Sequence, residues 1–465
     1  MVKHSIVVDE TDGLPLKKRI FAVISVALAL CMSVLDVNIV NVVLPTLAHD
    51  FGTSPSTTTW IVNSYQLSIV VSLLSFSAIG EIIGYRKVYL SGIGLFCFTS
   101  LVCALSNSFW TLTTARIFQG LSASAMTSVN TAQLRYIYPK KLLGRGIGIN
   151  AMVVAISAAT GPSVAGFIIS FASWHWLFAI NIPLGLVSFA LGIRYLPHLE
   201  IRNKRKFDFV GSIANAITFG LLIYTLDGFC HDSRGSYLYV LLGIVLVVGT
   251  YYIHRELHQE SPLLPLDLLR IPIFRLSVIT SICSFSAQML AMISLPFFMQ
   301  NQLGFTAATT GVLLTTWPLA TLFTAPLAGF LEEYIHPGIL GFIGMLAFAS
   351  GLFFLSFVDV HTTITSIIPR LMLCGAGFGF FQTPNNSTLI SSAPRQRSGG
   401  ASGMQGMARL FGQTFGTTMV ALMFSVVVPE KSTKTCLMVG TVIALLAATA
   451  SMFRISQPSA LKRNG

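Results

Sequence analysis

Charge is what this 465-residue chain has least of: Asp, Glu, Lys and Arg make up 10% of it, against 53% hydrophobic residues. Soluble domains carry about a quarter charged residues, so a water-soluble enzyme or binding module is excluded. Acids are scarcest, with seventeen Asp and Glu in all, and only Asp36 lies deep inside a long apolar run. The chemistry-bearing motifs are missing too. There is no phosphate-binding Gly-Lys loop, no HExxH and no nucleophile elbow, and the nine histidines are scattered. No enzyme activity, metal or cofactor is expected, and energy for any work should come from an ion gradient rather than bound ATP. Six of the seven cysteines (Cys31, Cys97, Cys103, Cys283, Cys374, Cys436) fall in apolar runs and Cys230 lies near a loop, without a close-spaced redox or metal pair. They read as small packing residues.

What the chain has instead is a succession of apolar runs near membrane-spanning length, which is about 20 residues for a helix. They cover 20–45, 57–80, 88–106, 109–134, 147–171, 174–196, 209–227, 237–253, 276–300, 307–331, 338–358, 363–390, 402–428 and 435–453. An all-α polytopic membrane protein with fourteen spans is predicted. The polar start ends in Lys17, Lys18 and Arg19, and the run after it lacks a small-residue cleavage site, so it is expected to be a retained first span. If the N-terminus is cytoplasmic, 23 of the 29 Lys and Arg fall in cytoplasmic segments, three outside (Arg234, Lys431, Lys434) and three in spans (Arg116, Arg370, Arg409). The positive-inside rule then places both termini in the cytoplasm of a cell whose inner (plasma) membrane holds the chain. Trp60, Trp110, Trp174 and Trp176 fall near outer span ends, as an interfacial aromatic belt would. The net charge of +12 is thereby explained by the lipid bilayer, and no nucleic-acid partner is implied.

An internal repeat organises the spans. Arg116, Gly120, Asn130, Pro139, Arg145 and Gly146 recur as Arg370, Gly375, Asn385, Pro394, Arg397 and Gly400. The first unit begins in span four and the second in span twelve. The chain then divides into a six-helix bundle at 1–200, a two-helix insert at 201–261, and an interfacial segment with a second six-helix bundle at 262–465. Two parallel halves of this kind form transporters with a substrate cavity between them, near the bilayer midplane. The proline-rich stretch Pro262–Phe274 is expected at the cytoplasmic interface.

An intramembrane carboxylate costs of order 2.5 kcal/mol or more, so Asp36 is a functional candidate by default. Span four places Arg116, Gln119, Gly120, Ala123, Thr127 and Asn130 on one helical face, and Arg116 lies at a depth similar to that of Asp36. Burial favours a neutral carboxyl while a nearby cation favours its charged form, so holding a proton and binding a cation would be alternatives at Asp36. The other reading is an acid locked permanently to Arg116 or to asparagine amides. Asn38 and Asn41 occupy a different face of span one, and only one of the two faces can line a cavity directly. Aligning Pro45 with Pro296 sets Ala287, beside Gln288, opposite Asp36, so proton handling is expected in the first half alone. Asp227 is the candidate for a second acid, but at the outer end of span seven it reads as an ordinary solvated interface residue. In the second half Arg370, Gln382, Asn385 and Asn386 are candidates for substrate contact or for helix–helix glue. Trp317, beside Pro318, is a candidate for stacking on an aromatic cation or for packing.

Several strings resemble those of the fourteen-span drug:proton antiporter family of the major facilitator superfamily. Leu35–Pro45 is similar to that family's LDxTIVNVALP, and Gly80–Lys87 resembles a degraded GxLADRxGRRK. Leu112–Ala123, with Arg116 and Gln119, resembles LxxxRxxQGxgaA, Gly161-Pro162 sits in a GxxxGPxxGG-like string, and Trp174–Gly185 resembles WRWIFLINVPxG. The resemblance implies the major facilitator fold and proton-coupled export of a small-molecule substrate, lipophilic or cationic, with protons as the coupling ion. It also implies conformational roles for Glu81, Gly84, Arg86 and Lys87 in the loop. Gly161-Pro162 within span five permits a bend and close approach by a neighbouring helix, and reads as a hinge or seal rather than a ligand contact. Glu81 replaces an Asp of the loop pattern, and Ile82 and Tyr85 replace arginines, which weakens the expected latch. A proton symporter or facilitator of a metabolite is the alternative, and a receptor or scaffold a third class disfavoured by the lack of sizeable soluble loops. Oligomeric state is left open by the sequence.

Overall fold

The computed structural model describes residues 13–139, 142–197, 207–231, 235–259, 266–332, 334–359, 362–394 and 398–455, and all regular structure among them is helical. In chain order the helices are α1 (Leu16–Phe51), α2 (Pro55–Thr58), α3 (Trp60–Ile83), α4 (Tyr85–Ala104), α5 (Phe109–Ile137), α6 (Leu143–Phe171), α7 (His175–Ala179) and α8 (Asn181–Tyr195). There follow α9 (Phe209–His231), α10 (Ser236–His258), α11 (Pro272–Asn301), α12 (Ala307–Leu331), α13 (Pro337–Leu355), α14 (Ile364–Ser392), α15 (Ser398–Val426) and α16 (Pro429–Met452). Eleven of these segments are long and apolar enough to cross a membrane. The 29-residue helices α5 and α15 are not among them, because each carries polar side chains turned toward neighbouring helices rather than lipid. In α9 the apolar stretch spans only Phe209–Thr225.

Local chemistry sets many of the ends. Ser54, Ser108 and Thr306 accept the amide hydrogens of Thr57, Thr111 and Thr309 at 3.2, 3.3 and 3.1 Å, satisfying donors that a helix start leaves open. Gly52 closes α1 at φ +60°, a conformation costly for a side chain with Cβ. Pro45 does not end the first helix, as the sequence suggested. It lies buried within α1, which continues to Phe51 because neighbouring helices enclose the site where its missing N–H leaves Asn41's carbonyl unbonded. The run at 174–196 is likewise two helices, α7 and α8, that meet at Ile180.

Packing falls into two sets, α1–α8 and α11–α16, with α9 and α10 between. Within the second set α13 and α14 approach so closely that a Cβ on Gly377 would sit 2.4 Å from the Phe348 amide nitrogen. Small residues give membrane helices this kind of contact, for lack of a hydrophobic drive between them. α9 wedges against both sets: Asn215 donates to the Val71 carbonyl of α3 at 3.0 Å, and Phe219 meets Phe411 of α15 edge-on at 5.6 Å. An ion pair at 2.7 Å joins Arg255 of α10 to Asp208 before α9. Burial pushes the Asp208 carboxyl up, but bonds from Arg255, the Gly211 amide and Gln259 outweigh it and leave the group below the usual carboxylate range.

Three expectations change. Trp174 is not a lipid-facing belt residue: it is buried and donates its indole N–H to Asp50 at 3.1 Å, whereas Trp110 and Trp176 remain largely exposed. Of Pro262–Phe274, residues 262–265 lie outside the described ones, Leu266–Arg270 forms a 3-10 turn, and Pro272 already starts α11, where Phe274 is buried. Arg454, one of the basic residues counted by sequence in the cytoplasmic segments, is 1% exposed.

Candidate functional site

Asp36 projects from α1 into the interior of the first helix set. Its Oδ2 accepts from Arg116 Nη1 of α5 in a short ion pair, and its Oδ1 accepts from Gln119 Nε2 at 3.1 Å and from Asn181 Nδ2 of α8 at 3.2 Å. The three-residue step from Arg116 to Gln119 sets both on one face of α5, which allows Arg116 Nη1 to donate also to Gln119 Oε1 at 2.8 Å. Gln119 in turn donates to Ser100 of α4 at 2.9 Å and accepts from Cys103 at 3.4 Å. Arg116 Nε donates to the Ile61 carbonyl of α3 at 3.1 Å, and the guanidinium lies 4.1 Å from the Tyr65 ring centroid. Five helices thus meet in the network around one carboxylate. Both partners are fully buried, and Arg116 Nη2 has no hydrogen-bond partner. A buried pair of this kind repays its desolvation only through such extra bonds.

The remaining first-half candidates lie elsewhere. Asn38 donates to the Val34 carbonyl of its own helix at 2.7 Å and packs on Gly161 of α6, where a Cβ would stand 2.7 Å from Asn38 Cβ. Asn41 is buried with its Oδ1 unbonded. Pro162 belongs to the contact with the second set: a Cβ on Gly311 of α12 would lie 2.1 Å from its carbonyl oxygen, and Ser163 and Thr315 hydroxyls meet at 2.6 Å. In the loop after α3, Gly84 takes φ +102°, Glu81 is half-buried, Lys87 is exposed, and Arg86 Nη2 donates to the Ile193 carbonyl of α8. The side chain of Asp227 lies outside the described residues.

Second-half candidates divide. Asn385 is committed within its own set: its Oδ1 accepts from Thr280 at 2.9 Å and Arg454 at 2.8 Å, and its Nδ2 donates to Ser281 at 2.7 Å. That leaves it no free group for a ligand. Trp317 is buried edge-on against Phe348 at 5.4 Å, its backbone pressed on Gly375, so it packs rather than offering a stacking face. Gln288, Gln382 and Asn386 are half-buried, and Arg370 is half-buried near the start of α14 with Nη1 unpartnered. Sequence reasoning missed Asn181, although it stands in the Trp174–Gly185 string, and Arg454, which had no signal beyond its place at a helix end. It also missed the links Asn63–Thr418 at 3.3 Å and Thr417–Gln66 at 3.4 Å between α3 and α15.

This arrangement of helices and the sequence behind it match known proteins. The sequence profile of the Major Facilitator Superfamily fits residues 26–417. The chain belongs to that superfamily. Superfamily members are transporters rather than enzymes, and this chain is a multi-pass membrane protein. It is 50% identical over 450 residues to "Uncharacterized transporter YebQ" of Escherichia coli (strain K12), covering 97% of this chain and 98% of that one. It is 29% identical over 402 residues to "Multidrug resistance protein Stp" of Mycobacterium tuberculosis (strain CDC 1551 / Oshkosh), covering 86% and 75%. The fold is also that of a solved POT family transporter in complex with 5-aminolevulinic acid, at a TM-score of 0.72 and 15% identity over 94% and 96% of the two chains.

Proposed function

We propose that this superfamily member is a proton-coupled exporter of small lipophilic compounds in the inner (plasma) membrane, with fourteen spans and both termini cytoplasmic. It works by alternating access between bundles at 1–200 and 262–465, with the two-helix insert at 201–261. One observation carries the coupling: Asp36, a carboxylate buried midway along α1, is tied to Arg116 of α5. Protonation of Asp36 removes the attraction that holds Arg116 Nη1, while Ile61 and Gln119 still hold the guanidinium in place. The link from α1 to α5 is then reduced to the Gln119 bond, and deprotonation tightens it again. The contacts between sets support a rocking motion. Those at Pro162–Gly311, Ser163–Thr315 and Gln300–Val42 cluster at the end away from the chain termini, whereas near the termini Leu74 meets Gly403 at an ordinary 3.9 Å. The molecule is thus closed at the end that faces outward in this orientation.

Asp36→Asn in proteoliposomes with an imposed pH gradient tests the reading. The variant should fold and bind substrate but lose proton-driven flux, and unaltered coupled flux rejects the role. A second reading is favoured by the bonding of both carboxylate oxygens, which makes the pair a permanent strut. It calls instead for a large loss of thermal stability with coupling intact.

A further inference from the structure

Among the three arginines embedded in the helices, Arg116 is matched by Asp36, whereas Arg409, midway along α15, has no hydrogen-bond or ion-pair partner among the described residues. The faces of α15 show where it points. Gly412 and Gly416 press on Ile282 and Ser286 of α11, and Gly403 and Gly406 lie against Leu74 and Leu73 of α3. Phe411 turns the other way, to Phe219 of α9. At 100° per residue, Arg409 and Gln413 fall in the arc between the α11 and α3 edges, opposite the insert and toward the interior between the two helix sets. Gln405 stands one turn before Arg409. All three side chains are partly exposed there, and the two glutamine amides also have no partner among the described residues. Along the helix, Arg409 lies between the Leu73–Gly406 contact and the Thr417–Gln66 bond, and so within the passage rather than at its mouth.

A guanidinium held away from lipid, without a counter-charge and beside two free amides, is a built receptor for an anionic headgroup. The buried Asp36 is already paired with Arg116. We infer that the space between the helix sets binds amphipathic anions, carboxylates above all, with the headgroup on Arg409 and the amides of Gln405 and Gln413. This reverses the preference for cations that the family resemblance implies. It rests on the proposed transport path but is measured by binding alone, so the two fail separately.

The test uses the full-length protein in zwitterionic nanodiscs, titrated with dodecanoate, dodecyltrimethylammonium and dodecanol and read by calorimetry. Dodecanoate should bind at least about tenfold more tightly than the quaternary ammonium of equal chain length, and more weakly as salt rises. Arg409→Gln should erase that preference while leaving dodecanol affinity unchanged, and Arg409→Lys should retain part of it. Equal or tighter binding of the cation overturns the inference, and so does unaltered dodecanoate affinity in a folded Arg409→Gln protein. Should that variant fail to fold, the anion-to-cation ratio of the unmodified protein and the Arg409→Lys titration decide it. A repeat with anionic phospholipid identifies the source of the headgroup. Loss of dodecanoate binding there assigns Arg409 to bilayer lipid and overturns the substrate reading, while unchanged binding supports it.

Discussion

Gly311→Ala places one methyl group at the tightest contact between the two helix sets. The added Cβ would stand 2.1 Å from the Pro162 carbonyl oxygen and 3.2 Å from the Gly166 amide nitrogen. Ordinary contact needs about 3.4 Å, and because the obstacle is backbone, α6 and α12 must separate by about 1 Å at that point. Overpacking of this kind costs about 1–3 kcal/mol. The cost falls only on the conformation in which these ends are closed, so the open fraction should rise about 5- to 150-fold. Spin labels at the exposed Ser170 and Asn301, near the far ends of α6 and α11, report it by double electron–electron resonance. The long-distance population should grow in Gly311→Ala. Gly375→Ala is the control, since its Cβ would meet the Trp317 carbonyl at 2.0 Å inside one set. It should lower thermal stability without moving the label distances. A Gly311→Ala protein with the parental distance distribution refutes the idea that this seam opens during the cycle.

Asp36→Ala should destabilise the protein by about 3–5 kcal/mol by leaving Arg116 buried and unpaired, and the double variant Asp36→Leu with Arg116→Leu should recover much of that in thermal unfolding. Asn385→Ala removes the oxygen that accepts from Arg454 Nη1 and should cost about 2–3 kcal/mol, again seen as a lowered Tm. His336 accepts the Gly338 amide at 3.0 Å, and burial, then Arg454, hold its pKa below the ordinary histidine value. Its contribution to stability is therefore present above the unfolded value near about 6.5 and lost as pH falls through the folded one. His336→Asn, which keeps a capping acceptor, should flatten that part of the Tm profile. If an anion leaves as one proton enters, two charges move together. Flux should then respond to voltage with about 2.3 kcal/mol per charge per 100 mV, whereas exchange of a monovalent cation for a proton would ignore it.

Element positions were legible because spans of about 20 apolar residues announce themselves, and Ala307–Leu331 coincides with its predicted run. Asp36 and Arg116 were legible together, since a lone buried acid and an arginine at equal depth have few other partners. Interruptions were not. Whether Pro45 ends a helix depends on neighbours that enclose its freed carbonyl, and no local residue records them. Arg454 was misplaced because a cation at a helix end normally reaches water, while here Asn385, Ser277 and Ser451 take its hydrogens. Arg409 was visible as an embedded charge, but its direction follows only from which glycines of α15 press on which neighbours.

The insert grips both sides of the machine. Asn215 holds α3 by one hydrogen bond, worth about 1 kcal/mol, and Phe219 holds α15 by an aromatic edge contact of similar size. When the halves tilt, α9 must let go of one or be dragged with the other. Whichever side chain gives way acts as a brake of about 1 kcal/mol, and its release would slow each turnover about fivefold if it falls in the slowest step.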